Sequence, residues 1–193
     1  AGLPGIITCD HPSIALNGAG SSSGSIFIYN WVASGGGQIL NGSKTLTPTV
    51  DKSGVYTLQV NNSANGCTAT ASTSVTTDNT LPTLVVAPPA TLTCAVKSVT
   101  ATAVASGGGT NPTFAWSTIN GHFVSGQNTL SLEIDAPGIY TLLVTNTQNG
   151  CATTTQTSVS QNITPPGAEA GPTHELHCNL PEVALNGSSP VGA

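Results

Sequence analysis

Five regularly spaced cysteines are the residues of this sequence with the clearest chemistry. They are Cys9, Cys67, Cys94, Cys151 and Cys178. Cys9 and Cys94 lie 85 positions apart, and 84 positions separate both Cys67 from Cys151 and Cys94 from Cys178. A fixed period of this length is the mark of a tandem repeat. Since a cysteine can form a disulfide, bind a metal or stay a free thiol, its surroundings must decide which chemistry applies.

Disulfides are the chemistry that the spacing favours. The pairs Cys9–Cys67 and Cys94–Cys151 would each close a loop of about 60 residues at the same place in successive repeats, which stabilises a domain by roughly 4 kcal/mol in the chain-entropy model. The alternatives are free buried thiols, or a metal site built from Cys and His, but the sequence has no Cys-x-x-Cys pair. Disulfides indicate an oxidising compartment outside the cytoplasm.

Cys178 is the odd cysteine, because the repeat period places its partner at about position 235, beyond this sequence. Three hypotheses remain for it. The favoured one is that the chain is a slice of a longer array whose third repeat is cut off. Alternatively, the segment Thr173 to Ala193 completes a sheet of a neighbouring chain by strand addition, or Cys178 bridges two chains directly.

No catalytic or nucleotide-binding motif stands out. Residues 174–178 read His-Glu-Leu-His-Cys, but a zincin motif needs two residues between Glu and the second His. The segments that precede Cys9 and Cys94 contain no His, so exposed strand residues are the better interpretation of 174–178. With 20 Ser and four His in the chain, chance Ser–His neighbours are expected and indicate no catalytic triad, and the Gly-rich runs lack the Lys of a phosphate loop. We therefore expect no enzymatic activity and no catalytic residue.

Calcium is the one cofactor worth weighing, with Asp78 as a weak candidate ligand. This residue lies where the first repeat meets its linker. Calcium prefers several oxygen ligands, chiefly from Asp and Glu, and one acidic residue is too few for a tight site. We therefore expect no cofactor and no metal, with calcium at Asp78 as the alternative.

The charge balance limits the classes of partner. Charged residues make up 6% of the chain, with three lysines, no arginine and a formal net charge of −5. Nucleic acids and anionic membrane surfaces are bound mainly through Lys and Arg, so both are excluded. No run approaches the ~20 apolar residues of a membrane helix. The expected partners are neighbouring repeats of the same chain, or identical chains in a filament, with no nucleic acid and no membrane insertion.

The elements that would position the cysteines are short strands. Apolar and polar residues alternate in Tyr56 to Val60, which predicts a strand with one face inward. Asn65-Gly66 and Asn149-Gly150 predict tight hairpins, since both turn residues adopt positive φ at low cost. About seven short strands in about 85 residues indicate an immunoglobulin-type β-sandwich. The predicted fold is all-β: tandem immunoglobulin-like sandwiches, each with one disulfide, with repeats at 1–80 and 81–164 and an incomplete third repeat at 165–193.

Four aromatic residues are predicted to fill the cores. Trp31 follows Cys9 by 22 positions and Trp116 follows Cys94 by 22, while Tyr56 and Tyr140 each precede a cysteine by 11. One large aromatic ring per small sandwich is typical of a core residue rather than of a sugar-binding platform. We expect all four side chains to be buried.

The motifs resemble a known class of surface protein. Both repeats contain Cys, then Trp, then Ser/Pro-Gly-x-Tyr-Thr-Leu-x-Val-x-Asn, then Asn-Gly-Cys-x-x-Thr. This pattern resembles the immunoglobulin-like or PKD-like repeats of Bacteroidetes cell-surface proteins, similar to gliding-motility adhesins and other cargo of the type IX secretion system. The resemblance implies an extracellular, cell-surface location and a non-enzymatic structural role, as a stalk or surface filament of an adhesin-type protein. The alternative is a ligand-binding adhesion module that recognises glycans or another cell surface.

Overall fold

The computed structural model describes residues 5–188, which form strands, turns and irregular segments with no helix. The first seven strands form two sheets, in the orders β1-β7-β6-β3 and β2-β5-β4. We call this unit the N-terminal sandwich. Its strands are β1 (Gly5–Thr8), β2 (Ile14–Ala15), β3 (Phe27–Ser34), β4 (Ile39–Asn41), β5 (Thr49–Val50), β6 (Gly54–Asn62) and β7 (Thr68–Asp78).

The other nine strands form the C-terminal sandwich, whose sheets have the orders β12-β13-β10-β8 and β11-β14-β15, with a short β16-β9 pair. Among the described residues, no sheet contains strands of both sandwiches. The strands are β8 (Thr83–Val86), β9 (Leu92–Thr93), β10 (Val99–Ser106), β11 (Thr113–Thr118), β12 (Phe123–Ser125), β13 (Ser131–Ile134), β14 (Gly138–Thr145), β15 (Ala152–Val159) and β16 (Gln161–Asn162).

Each sandwich has a hydrophobic core of its own between its sheets. In β6, Tyr56 and Leu58 are 0% and 1% exposed, while Val55 before them and Gln59 after them are exposed, as the two-residue period of a strand requires. Trp31 lies in the same cluster as Tyr56, and Trp116 and Tyr140 lie in the cluster of the C-terminal sandwich. All four aromatic residues are less than a tenth exposed.

Two features identify the sandwiches as immunoglobulin-like. The first is the strand order, in which the sheets β1-β7-β6-β3 and β2-β5-β4 reproduce the seven-strand arrangement of that fold. The second is a tyrosine corner: the Tyr56 hydroxyl donates to the Lys52 carbonyl at 2.6 Å, and the Tyr140 hydroxyl donates to the Ala136 carbonyl at 2.6 Å. The all-β, immunoglobulin-like prediction is confirmed.

The position of the usual inter-sheet disulfide is occupied by leucine. In immunoglobulin domains the second cysteine follows the corner tyrosine by two residues. Here those positions hold Leu58 and Leu142, which are 1% and 0% exposed. Apolar packing against the tryptophan therefore replaces the bridge inside each sandwich.

The single disulfide of the described residues joins Cys9 to Cys151 and so connects the two sandwiches. The predicted Cys9–Cys67 bridge is therefore not formed. The reason is the direction of β1, which runs parallel to β7 and places Thr8 opposite Asp78. Cys9 consequently lies near the last residue of β7, whereas Cys67 precedes its first residue, about 35 Å away along the strand. A disulfide requires Cα atoms within about 7 Å.

The predicted Cys94–Cys151 bridge is wrong for the same reason. The pairing of β9 with β16 is parallel, so Thr93 lies opposite Asn162, which follows the last residue of β15, whereas Cys151 precedes the first residue of β15. Cys94 and Cys67 are free, exposed thiols, as is Cys178.

Residues 163–188 contain no strand, only the isolated bridges Glu169–Ser188 and His177–Leu180. The predicted first repeat, 1–80, and the predicted incomplete third repeat, 165–193, include residues 1–4 and 189–193, which lie outside the described range. The repeat boundaries at 80/81 and 164/165 therefore stay a prediction. No helix within residues 5–188 is long and apolar enough to cross a membrane.

Candidate functional site

The candidate site is the junction between the two sandwiches, and its covalent component is the Cys9–Cys151 bridge. Cys9 directly follows β1, and Cys151 lies in the turn between β14 and β15. Their Cα atoms are 5.0 Å apart, and the Cys151 side chain is 1% exposed. The bridge therefore connects the end of one sandwich to a hairpin of the next.

Asn149 forms the polar centre of the junction. Its side-chain amide donates to the Asp78 carboxylate at 3.1 Å and to the Thr80 carbonyl at 3.0 Å. Its side-chain oxygen accepts the backbone N–H of Cys151 at 2.9 Å, and its carbonyl accepts the N–H of Asp10 at 3.2 Å. Asn149 is 1% exposed, and both the donor and the acceptor of its side-chain amide have partners, as a buried amide requires. Its hydrogen bonds therefore connect both sandwiches and the linker.

Gly150 allows the two backbones to approach closely. Its φ of +70° is a conformation that glycine adopts without strain. A Cβ at this position would lie 2.9 Å from the backbone nitrogen of Asp10 and even closer to the Asp10 side chain. Any other residue here would therefore push the hairpin away from the N-terminal sandwich.

The linker is held against the C-terminal sandwich over most of its length. The Thr153 hydroxyl donates to the Pro82 carbonyl at 2.6 Å, and β8 pairs with β10 immediately afterwards. The hydroxyls of Thr83 and Ser106 are 2.6 Å apart and form a further hydrogen bond. Only a few residues after Asp78 remain between the sandwiches, so the junction is short.

Asp78 serves the junction as a hydrogen-bond acceptor. The backbone N–H of Thr80 donates to its carboxylate at 3.1 Å, beside the Asn149 amide. Hydrogen bonds from the backbone and the side chain of Thr80, and then from Asn149, lower the pKa of Asp78 below its usual 3.8. Residues 5–188 contain no group of three or more His, Cys, Asp or Glu side chains that could hold a metal, at Asp78 or elsewhere.

His122 and Asp135 form a separate polar pair at the tyrosine corner of the C-terminal sandwich. The imidazole Nδ1 of His122 and the carboxylate of Asp135 are 2.7 Å apart. The backbone N–H of His122 donates to the Tyr140 hydroxyl at 3.0 Å. Burial raises the pKa of Tyr140, and the Asp135 charge raises it further. The pair lies beside the corner tyrosine and hydrogen-bonds to it through the His122 backbone.

Sequence reasoning missed the role of Asn149, which it treated only as a hairpin residue. A usable signal was present, because Asn65-Gly66-Cys67 repeats as Asn149-Gly150-Cys151 and a hairpin alone does not require the cysteine. The motif places an amide, a close-approach glycine and a thiol on one turn, which together form one half of the junction.

Comparisons with known proteins add little to this description. No protein-family model matches the sequence, and no curated protein matches it. Among solved structures, the chain is similar to the titin I-band fragment I67–I69, with a TM-score of 0.41 and 13% identity over 86% of this chain and 66% of that one. It is also similar to the eight N-terminal immunoglobulin domains of DSCAM, with a TM-score of 0.46 and 14% identity over 86% of this chain and 23% of that one.

A third similar structure holds the three N-terminal domains of the outer capsid protein Hoc of bacteriophage RB49. Its TM-score is 0.38, and its identity is 17% over 76% of this chain and 50% of that one. The chain thus spans less than two thirds of each of these three structures. At such identities and TM-scores the likenesses carry no argument, and the fold assignment depends on the strand orders and the tyrosine corners.

Proposed function

We propose that this chain is a non-enzymatic, extracellular structural module, in which immunoglobulin-like repeats are fastened end to end to form part of a load-bearing stalk or surface filament. The observation that carries the proposal is the Cys9–Cys151 bridge across the junction. Two sandwiches joined by a linker alone move relative to each other by default. A second covalent connection, beside the linker, opposes that motion.

The path of a pulling force supports a mechanical role. A force applied at the two ends of the chain reaches Cys9 from one side and Cys151 from the other. The bridge passes the force directly between them, so the residues from 10 to 150 bear little of it. Both hydrophobic cores lie largely within this protected segment.

The proposed location follows from the chemistry of the bridge. Disulfides form and persist in oxidising surroundings outside the cytoplasm. The motif resemblance to Bacteroidetes surface repeats adds the more specific proposal of an adhesin-type parent exported by the type IX system.

Single-molecule stretching tests the proposal. With the bridge closed, we expect no extension from the segment between Cys9 and Cys151, which are 142 positions apart, and reduction should release about 500 Å of additional contour length at about 3.6 Å per residue. The matched control is Cys67→Ser/Cys94→Ser, which removes two free thiols and should extend like the unaltered chain. Equal extension with and without reductant would refute the load-bearing role. The alternative, recognition of glycans or another cell surface, is tested by applying the same oxidised chain to a glycan array.

A further inference from the structure

An open groove runs beside Cys67 on the N-terminal sandwich. Its volume is about 420 Å³, and its lining includes Ser21, Phe27, Leu58, Val60 and Cys67. Phe27, Leu58 and Val60 give it an apolar floor, and its polar lining residues include Ser21, Thr68 and Thr70. The exposed Cys67 thiol lies at the groove.

The corresponding place on the C-terminal sandwich is filled by the linker. The 85-residue spacing of Cys9 and Cys94 makes Ser106 the counterpart of Ser21 in the groove, and Ser106 bonds Thr83 at 2.6 Å. The 84-residue spacing of Cys67 and Cys151 makes Thr153 the counterpart of Ala69, and Thr153 bonds the Pro82 carbonyl at 2.6 Å. The last linker residue, Pro82, and the first residue of β8, Thr83, therefore occupy this position in the C-terminal sandwich. The equivalent position in the N-terminal sandwich is the groove.

The hairpin at the groove already has the conformation found in the junction. Gly66 has a φ of +73°, against +70° for Gly150. The Asn65 side chain accepts the Cys67 N–H at 3.0 Å, as the Asn149 side chain accepts that of Cys151 at 2.9 Å. The difference is that Asn65 is exposed, and nothing lies within 4 Å of a Cβ placed on Gly66.

The far end of the C-terminal sandwich presents the complementary half. Cys94 is the counterpart of Cys9, and its thiol lies 3.8 Å from the Ile163 carbonyl, beside the point where the chain leaves the sandwich. Asn162 is the counterpart of Asp78, and its side-chain oxygen accepts the N–H of Thr164 at 3.3 Å, as that of Asp78 accepts the N–H of Thr80. This end therefore repeats the acceptor side of the junction.

We propose that the groove beside Cys67 binds the Cys94 end of another repeat of this kind, and that Cys67 and Cys94 form the same bridge as Cys9 and Cys151. The partner is a second copy of this chain, which carries the same Cys94 end. The inference rests on the proposed structural role. Because the two surfaces differ, the contact is head-to-tail and extends into an open array instead of closing into a dimer.

Formation of the bridge requires an oxidant, for which we name a small-molecule disulfide such as oxidised glutathione. The Cys67 thiolate attacks that disulfide, forms a mixed disulfide and releases one glutathione thiol. The Cys94 thiolate of the partner then attacks the Cys67 sulfur and releases the second glutathione. Two protein thiols are oxidised to one disulfide, and one glutathione disulfide is reduced to two thiols.

The experiment uses the 193-residue chain with Cys178→Ser in every sample, so that only Cys67 and Cys94 can react. Chains with Cys67→Ser and chains with Cys94→Ser are mixed in a glutathione redox buffer, and the bridged peptides are quantified by mass spectrometry. We expect the Cys67–Cys94 bridge to exceed the Cys67–Cys67 and Cys94–Cys94 bridges by about tenfold. Chains that keep both cysteines should form a ladder of covalent oligomers.

Random oxidation of exposed thiols gives a different result. It would produce the mixed bridge and the two symmetric bridges in the statistical ratio of about 2:1:1, as equal thiol reactivity predicts, and that ratio would overturn the proposal. A second arm joins two copies of the chain end to end. Selective bridging between separate chains, with a yield that rises with chain concentration, supports a second copy as the partner. Selective bridging that forms only in the joined copies identifies a neighbouring repeat instead and overturns this assignment. Absence of selective bridging in both arms refutes the inference.

The groove itself is tested with Ala69→Trp, which fills the position of the bound segment. We expect selective bridging to slow by about tenfold, while the Cys67 thiol keeps its reactivity towards a small aromatic disulfide reagent. The control is Ser74→Trp, an exposed residue of the same strand that does not line the groove. Equal slowing by both variants would contradict a role for the groove. The stretching experiment reports only on Cys9–Cys151, so the two proposals fail separately.

Discussion

Removal of the bridge between the sandwiches should destabilise both of them, although the bridge lies inside neither core. The change is Cys9→Ala/Cys151→Ala, which leaves no new thiol behind. Each sandwich has its own hydrophobic cluster, so each can unfold while the other stays folded. In either case the bridge and the folded partner close a loop in the unfolded segment.

The expected magnitude follows from the loop lengths. Cys9 and Cys151 each lie about 70 residues from Asp78, so unfolding of either sandwich alone is penalised by about 4 kcal/mol in the chain-entropy model. Concerted unfolding closes the full 142-residue separation and is penalised by about 5 kcal/mol. With an m-value of about 1 kcal/mol per M urea for a domain of this size, the midpoint of each sandwich should fall by roughly 4 M.

Tryptophan fluorescence can follow the two sandwiches one at a time. Trp31 and Trp116 lie in different cores, and their indole N–H groups donate to the Thr45 and Thr129 carbonyls at 2.9 Å. Urea unfolding of the Trp116→Phe variant therefore reports on the N-terminal sandwich, and that of Trp31→Phe on the C-terminal one. Each is measured with the bridge present and with it removed.

The matched control is Cys67→Ser/Cys94→Ser, which should leave both midpoints unchanged because these thiols are exposed and unpaired. A loss of less than about 1 kcal/mol in both sandwiches on removal of the Cys9–Cys151 bridge would refute the loop-closure reasoning. So would a loss confined to one sandwich, since the two loops are nearly equal in length.

Three further predictions concern the polar part of the junction. Asn149→Ala should cost about 1–3 kcal/mol in urea unfolding, because it removes a hydrogen-bond partner from the buried Cys151 N–H, from the Thr80 carbonyl and from the Asp78 carboxylate, whereas Asn65→Ala at the exposed counterpart should cost less than about 0.5 kcal/mol. Gly150→Ala should lower the free energy of unfolding more than Gly66→Ala does. Both residues have positive φ, but only at Gly150 would the added Cβ collide with Asp10, and equal losses of stability would contradict the close approach. The lowered pKa of Asp78 means that its contribution is present above its usual pKa of 3.8 and is lost as the pH falls through the lower folded-state value, so stability should fall less steeply below about pH 4 in Asp78→Asn; identical acid profiles would refute this.

The fold itself could be predicted because its signals are local. The alternation in β6, the Asn-Gly turns and the recurring Trp and Tyr each depend on a few neighbouring residues. The corner bond from Tyr56 to Lys52 spans only four positions. Because such features do not depend on distant parts of the chain, they indicate an immunoglobulin-like sandwich even when the pairing of the strands is unknown.

The disulfide pairing could not be predicted in the same way, because it depends on the direction of a non-local strand pair. A period of two residues is identical for a parallel and an antiparallel strand. If β1 ran antiparallel to β7, Cys9 would lie at the opposite end of the strand pair from Asp78. The parallel pairing places it beside Asp78 instead, at the junction with the next repeat.

The repeat period is compatible with two pairing patterns. A cysteine can pair within its own repeat or with a cysteine of the adjacent repeat, and the spacing of the cysteines along the chain is the same in both cases. What distinguishes the two is the environment of the Asn-Gly-Cys hairpin. Asn149 is buried and bonded to Asp78, while the identical triplet at Asn65 is exposed. A turn with the same residues and the same internal hydrogen bond is thus buried only where another repeat abuts it. The hairpin is therefore a half-site, completed by its neighbour, and a single repeat considered alone does not contain the information that identifies its disulfide partner.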